Sequence, residues 1–200
     1  LIVRIGGPAY KIGLGGGFSS SLEQNKERKS LDISAVQRGD PQMGNKLNRV
    51  IRFLSAMKDN PIISIHDQGA GGLANVVKEI VYPLGGAVAL ENVTCGDHGL
   101  HPLEIWCSEF QESDVLLTKK ENLAIIRTMC RHENICCDVL GAVGDTGAIL
   151  VTYKNETIMD LPLEEILEPG IQKEYILDNG SLEPVLSLIH ISEPTRPSSI

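Results

Sequence analysis

The sequence predicts an α+β fold, a layered α/β sandwich built on a mixed sheet. Three observations lead there. Short β-rich runs alternate irregularly with segments of helical periodicity, so regular βαβ repetition is not met. Late in the chain, Lys154-Asn155 stands between two β-rich runs and reads as a hairpin turn. The 200 residues are 42% hydrophobic, enough for one domain with a sizeable core and room for an appended piece.

The elements follow in order. "LIVRI" reads as the end of a strand, and "GGPAYKIGLGGG" at 6–17 as loop by glycine content alone. The polar "FSSSLEQNKERKS" after it reads as a mobile connection. In "GDPQMGNKLNRVIRFLSAMKDN", Asp40 is placed as an N-cap and Pro41 as the first helical residue. Met43, Leu47, Val50, Leu54 and Met57 recur there at spacings of three and four, which makes this the firmest helix. Residues 61–66 read as a buried strand, and Leu73 to about Val81 as a short helix ended by Pro83. "GAVALENV" is a strand, and "CGDHGLHPLEIWCSEFQES" a long connection with room for one helical turn. "DVLLTK" is a strand and "KENLAIIRTMCRHE" an amphipathic helix. "CDVLGAVG" and "GAILVTY" are strands around a turn at Asp145-Thr146, "KNETIMDLP" continues as a hairpin, and "PLEEIL" is a short terminal helix.

Charge and cysteine usage narrow the function. The formal net charge is -8, and the one dense basic cluster, "KERK" at 26–29, contains its own acid. A nucleic-acid partner calls for a basic stripe, so that class is disfavoured. No apolar run is long enough for a membrane-spanning helix, and no secretory signal is visible. The chain starts at Leu1 inside an apolar run and without methionine, which reads as a segment of a longer polypeptide. Cys95, Cys107, Cys130, Cys136 and Cys137 are odd in number and form no C-x-x-C pair, against both zinc and a disulfide framework. Buried free thiols in a cytoplasmic protein are the expectation.

Four stretches hold candidate functional residues. Gly15, Gly16 and Gly17 end a glycine-rich loop whose backbone amides suit phosphate. No helix opens directly after them, so a dinucleotide-binding fingerprint is not met, and a plain turn is the alternative. In "SIHDQGAGGLAN", Asp67 ends a strand just before a helix. Taken alone it reads most simply as the cap of that helix. It also suits Mg²⁺, which takes one or two carboxylates together with phosphate oxygens and waters. Gly69, Gly71 and Gly72 would let the backbone approach a ligand closely. His66 reads as an ordinary hydrogen-bonding histidine beside a core strand. In "PLEIWCSEFQES", Glu104, Glu109 and Glu112 flank the single Trp. On an extended backbone Glu109 and Gln111 point to one side, a carboxylate and an amide suited to ribose hydroxyls or to an amide-bearing substrate. A solvated loop is the plainer reading. Gln37, in "LDISAVQRGDPQM", has no structural task visible from sequence.

Together, "GGPAYKIGLGGGFSSS", "VQRGDP", "NPIISIHDQGAGGLAN" and "PLEIWCSEFQES" resemble formylglycinamide ribonucleotide amidotransferases, also called phosphoribosylformylglycinamidine synthases, in order and approximate spacing. The resemblance covers about residues 1–180 and is to the eukaryotic-like long form. It implies a ligase of purine biosynthesis in which ATP activates the amide oxygen of formylglycinamide ribonucleotide as an iminophosphate. Ammonia, released from glutamine by a separate domain, then displaces the phosphate. It further implies that residues 1–170 are similar to the C-terminal domain of aminoimidazole ribonucleotide synthetase and lie in the first half of the synthetase core. Residues 171–185 would then be a linker toward the second half. Matched position by position, Asp67 falls on a Mg²⁺ ligand at the ATP phosphates and Gln37 on a substrate-binding glutamine. Glu109, Phe110 and Gln111 fall on a substrate-binding Glu-Ser-Gln triplet. Phe110 replaces the usual serine there, so the side-chain contact at 110 does not carry over and a backbone contact stays open. The catalytic histidine loop, the second half and the glutaminase would be supplied by other domains of the parent chain. No catalytic residue is expected in this segment, nor any synthetase activity from it alone. Selenophosphate- and hydrogenase-maturation-type ATP enzymes share the superfamily but lack the "PLEIW…FQES" stretch, and a non-catalytic assembly domain would not need these residues. Finally, "LSLIHISEPTR" at 186–196 resembles the translation of a transposon-end adaptor used in preparing DNA sequencing libraries. Residues 186–200 are therefore expected to be a non-native tail and are left out of the fold reading.

Overall fold

The computed structural model describes residues 1–14 and 39–167. Strand β1 (Ile2–Gly6) is the axis of the fold, and all five of its residues are buried. It pairs antiparallel with β4 (Ser113–Leu117) on one side and with β5 (Cys136–Val143) on the other. β2 (Ser64–Asp67), β3 (Gly86–Ala89), β6 (Ala148–Tyr153) and β7 (Glu156–Pro162) complete a seven-stranded sheet of order β2-β4-β1-β5-β3-β6-β7. The sheet is mixed, as expected: β3 and β6 run parallel and the other neighbours antiparallel.

Alternation along β1 separates two cores. Val3 and Ile5 pack with Leu116 under α1 (Pro41–Ser55) and α4 (Leu123–Glu133), on Leu47, Val50, Leu54 and Ile126. Ile2 and Val115 belong to the opposite core, under α2 (Gly72–Val81), α3 (Pro102–Cys107) and α5 (Leu163–Leu167). There Leu73, Val76, Val77, Ile105, Trp106 and Leu163 fill the space. Helices thus cover both faces, the layered sandwich read from the sequence.

The α1 signals hold in detail. Asp40 Oδ1 accepts from the Gln42 and Met43 amides at 3.0 Å each, and Pro41 opens the helix. The buried stripe is Leu47, Val50 and Leu54. On the outer surface Arg49 Nε donates to Glu133 Oε1 at 2.9 Å and links α1 to α4.

Two expectations need correction, and one strand order goes beyond what was expected. The strand expected to be buried at 61–66 is β2, an edge strand whose residues are largely exposed, because β4 is its only neighbour among the described residues. Ile63 and Ile65 are exposed with it. Within "GAVALENV" only Gly86–Ala89 is strand, and Leu90–Asn92 turns into a single 3₁₀ turn. β5 and β6 do flank Asp145-Thr146, yet they do not pair: β3, from fifty residues upstream, lies between them. The Lys154-Asn155 turn does join β6 to β7, with both residues at positive φ. Residues 15–38 and 168–200, with the expected mobile connection, linker and tail, lie outside the described residues.

Candidate functional site

Four chain segments meet at one end of the sheet. They are the exit of β1 into the glycine-rich stretch, the exit of β2 at Asp67, the entry to β4 after Glu112, and the first turn of α1. The Gly7 amide donates to the Glu112 carbonyl at 2.9 Å, and the Gln68 amide to the Ser113 carbonyl at 2.8 Å. A Cβ at Gly7 would stand 3.4 Å from Met43 Cγ in the first turn of α1. The described parts of these stretches therefore converge, although they are far apart along the chain.

A buried polar network holds these ends together. Arg4 is wholly buried. Its Nη1 donates to Asp138 Oδ2 at 2.9 Å, its Nη2 to the Gly7 carbonyl at 2.6 Å, and its Nε to Gln68 Oε1 at 3.4 Å. Asp138 also accepts from the Thr94 amide at 3.0 Å and the Thr94 hydroxyl at 2.6 Å. Ser113 Oγ donates to Gln68 Oε1 at 3.1 Å, tying β4 to the residue beside Asp67. Sequence reasoning passed over Arg4, since an arginine inside a strand gives no sign of burial until its partners are known.

Asp67 stands at the mouth, with a side chain 85% exposed. It does not cap the next helix. The N-cap of α2 is Gly71, in the left-handed region at φ 81, with no side-chain cap. The Gly72 amide donates to the Gly69 carbonyl at 3.0 Å and closes the turn between Asp67 and α2. Gly72 is required for packing: a Cβ there would overlap the Ser108 carbonyl, so only glycine lets α2 begin against the end of α3.

His66, unassigned from sequence, has both ring nitrogens engaged. Nδ1 meets the Asp67 carbonyl at 2.7 Å and Nε2 meets Glu79 Oε2 of α2 at 2.7 Å. The bond to the Asp67 carbonyl, aided by the charges of Glu79 and Asp67, raises its pKa against some desolvation. Across the strand pair, Asp67 lies opposite Asp114. Burial first, and then the Asp67 charge, push the Asp114 carboxyl up to about 6, partly offset by His66. Asp114 was invisible in sequence, because its relation to Asp67 exists only once β2 and β4 are in register.

The segment after α3 presents the other candidates. His101 and Glu104 form a reciprocal capping box at the start of α3, which accounts for Glu104. Gln111 Nε2 donates to Glu109 Oε1 at 3.3 Å, so the two share one side, as the alternation predicts. Phe110 between them is wholly buried in the core under α2 and α3. What position 110 offers a ligand is therefore backbone. Gln37, Gly15, Gly16 and Gly17 lie outside the described residues.

The donor set at Asp67 fits a hard divalent cation bound in part by other groups. An exposed carboxylate has a second one opposite it on the neighbouring strand. Among the described residues no group of three or more His, Cys, Asp or Glu could enclose an ion. Mg²⁺ sites completed by phosphate oxygens and waters have this character.

The fold and this sheet end define the class. Residues 1–154 match the family described as AIR synthase related protein, C-terminal domain, and the chain belongs to it. Within that class it is 44% identical over 184 residues to the phosphoribosylformylglycinamidine synthase of Dictyostelium discoideum. The match covers 90% of this chain and 14% of that relative's length. Among solved structures, T. maritima PurL complexed with FGAR aligns with a TM-score of 0.78 at 26% identity, over 92% of this chain and 30% of that one. PurL complexed with ATP aligns with a TM-score of 0.69 at 24% identity, over 92% of this chain and 29% of that one. No described helix is long and apolar enough to cross a membrane.

Proposed function

We propose that this chain is a segment of the synthetase core of a phosphoribosylformylglycinamidine synthase and supplies half of the site where ATP and formylglycinamide ribonucleotide meet. The observation that supports this reading is the convergence at one sheet end of the glycine-rich stretch, the start of α1 just after Gln37, Asp67, and the 109–111 segment. Asp67 would hold Mg²⁺, which when bound offsets phosphate charge during transfer. Glu109, Gln111 and the Phe110 backbone, together with Gln37, would orient the ribonucleotide, a positioning task rather than acid–base work. Gly15, Gly16 and Gly17, with Gly71, would offer backbone amides to phosphate; the Gly69 amide already donates to the Asp67 carbonyl at 3.2 Å, and Gly72 is needed against Ser108. Residues 1–170 would form the domain, 171–185 a linker, and 186–200 a non-native tail. The remaining domains of the parent chain, a glutaminase among them, would complete the enzyme in the cytoplasm, which suits five free thiols.

The test places this chain in the full-length Dictyostelium synthase in place of its matching segment. The chimaera should hydrolyse ATP in the presence of formylglycinamide ribonucleotide and ammonia, and the chain alone should not. Asp67→Asn should raise the Mg²⁺ concentration for half-maximal rate by about tenfold or more. Turnover by the isolated chain near the full-length rate, or an unchanged Mg²⁺ requirement in the variant, would refute the assignment.

A further inference from the structure

Glu112 follows the 109–111 segment directly, and its side chain has no structural task among the described residues. Its backbone is left-handed, at φ 50, a conformation that strains a glutamate and persists only where surroundings impose it. Its carbonyl accepts from the Gly7 amide at 2.9 Å, which fixes the turn at the mouth of the site. Its side chain then points toward the start of α1. A Cβ at Gly44 would stand 3.2 Å from Glu112 Cγ, and one at Gly39 would stand 3.5 Å from Oε1. The carboxylate thus occupies a space kept open by two glycines, neither with a side chain to offer it.

Its Oε2 is buried and has no hydrogen-bond partner among the described residues. The obvious donors are the first-turn amides of α1, and these are already engaged. Pro41 has none, the Gln42 and Met43 amides donate to Asp40 Oδ1, and the Gly44 amide to the Asp40 carbonyl. No ion pair to Lys, Arg or His reaches Glu112 among the described residues. No cation cage forms among them either. A buried carboxylate oxygen without a donor is destabilising and calls for a partner from outside the fold.

We infer that Glu112 is a further substrate-positioning residue, whose carboxylate accepts a hydrogen bond from an N–H or O–H donor of the ribonucleotide. This rests on the reading of the site given above. A carboxylate is an acceptor only, so it selects amide N–H and hydroxyl groups and repels phosphate. It lies beside Glu109 and Gln111 in the chain, and the left-handed turn aims it at the α1 side.

The chimaeric synthase described above tests this with Glu112→Gln and Glu112→Gly. Glu112→Gln keeps the shape and removes the charge. Affinity for formylglycinamide ribonucleotide, measured by titration calorimetry, should fall about tenfold to hundredfold while ATP affinity is unchanged. Glu112→Gly relieves the left-handed glutamate and removes the buried oxygen, so its Tm should not fall while ribonucleotide affinity is lost. A purely structural glutamate would give the reverse, a lower Tm with affinity kept. Unchanged ribonucleotide affinity in both variants, or equal losses for ATP and ribonucleotide, would overturn the inference for Glu112 alone. Failure of the unsubstituted chimaera to bind the ribonucleotide would overturn it together with the proposed function.

Discussion

Two aspartates flank strand β1 and meet opposite fates. Asp138, on β5, lies opposite Arg4 and receives the guanidinium, the Thr94 amide and the Thr94 hydroxyl. Asp114, on β4, lies opposite Asp67 and meets a second carboxylate instead. Both are largely removed from water, so the surroundings decide what each charge does. A buried carboxylate with three donors belongs to the framework. One pressed against a like charge at a sheet end stores unfavourable energy that a cation would relieve. Framework and site are separated by one strand.

The comparison breaks most visibly at Arg4. Arg4→Met strands the Asp138 charge and should destabilise the chain by about 3–5 kcal/mol in denaturant unfolding. Arg4→Met combined with Asp138→Leu should regain part of that loss, since the stranded charge is gone while the Gly7 carbonyl and the Thr94 amide lose their partners. A double variant no better than the single one would mean that the pair matters for more than its own compensation.

Asp114 should behave with the opposite sign. Its pKa is raised from 3.8 to about 6 in the fold. The folded state therefore holds a proton that the unfolded state has lost across roughly pH 4 to 6, and stability falls as pH rises through that window. At about 1.4 kcal/mol per pKa unit, the cost above pH 6 is on the order of 3 kcal/mol. Asp114→Asn should recover it in unfolding measured near pH 8 with EDTA present, and the gain should disappear below about pH 4. A variant that destabilises at pH 8 would show that the Asp114 charge is compensated.

The smallest effect sharpens the contrast. Asp67 is mostly exposed. Asp67→Asn should shift unfolding by less than about 0.5 kcal/mol. It should nonetheless lower the pKa of Asp114, followed by carboxyl NMR titration, because the nearby like charge is gone. An Asp114 titration unmoved by Asp67→Asn would assign its raised pKa to burial alone.

Local signals were legible in the sequence wherever the chemistry is local. The Asp40 cap, Pro41 and the Leu47–Val50–Leu54 stripe needed only neighbours three and four residues away. Glu109 and Gln111 share a side because extended chain alternates, and Phe110 faces the core for the same reason. The capping box of α3 and the His66–Glu79 bond went unread. The first uses a histidine where serine or threonine is usual, and the second needs the angle at which α2 leaves β2. The cap reading of Asp67 failed because the turn closes through Gly69 and Gly72 and leaves the carboxylate free of α2.

By itself, then, the sequence determined most of the helix and strand segments, the caps of the first helix, and the family. Periodicity, caps and motif wording are properties of short windows. Only the tertiary structure decided that β3 inserts between β5 and β6, that β2 is an edge, and that Arg4 meets Asp138 while Asp114 meets Asp67. Strand order and register are set by burying both faces of a sheet at once. Residues more than a hundred positions apart then share one hydrogen-bonded row, and no local window contains that information.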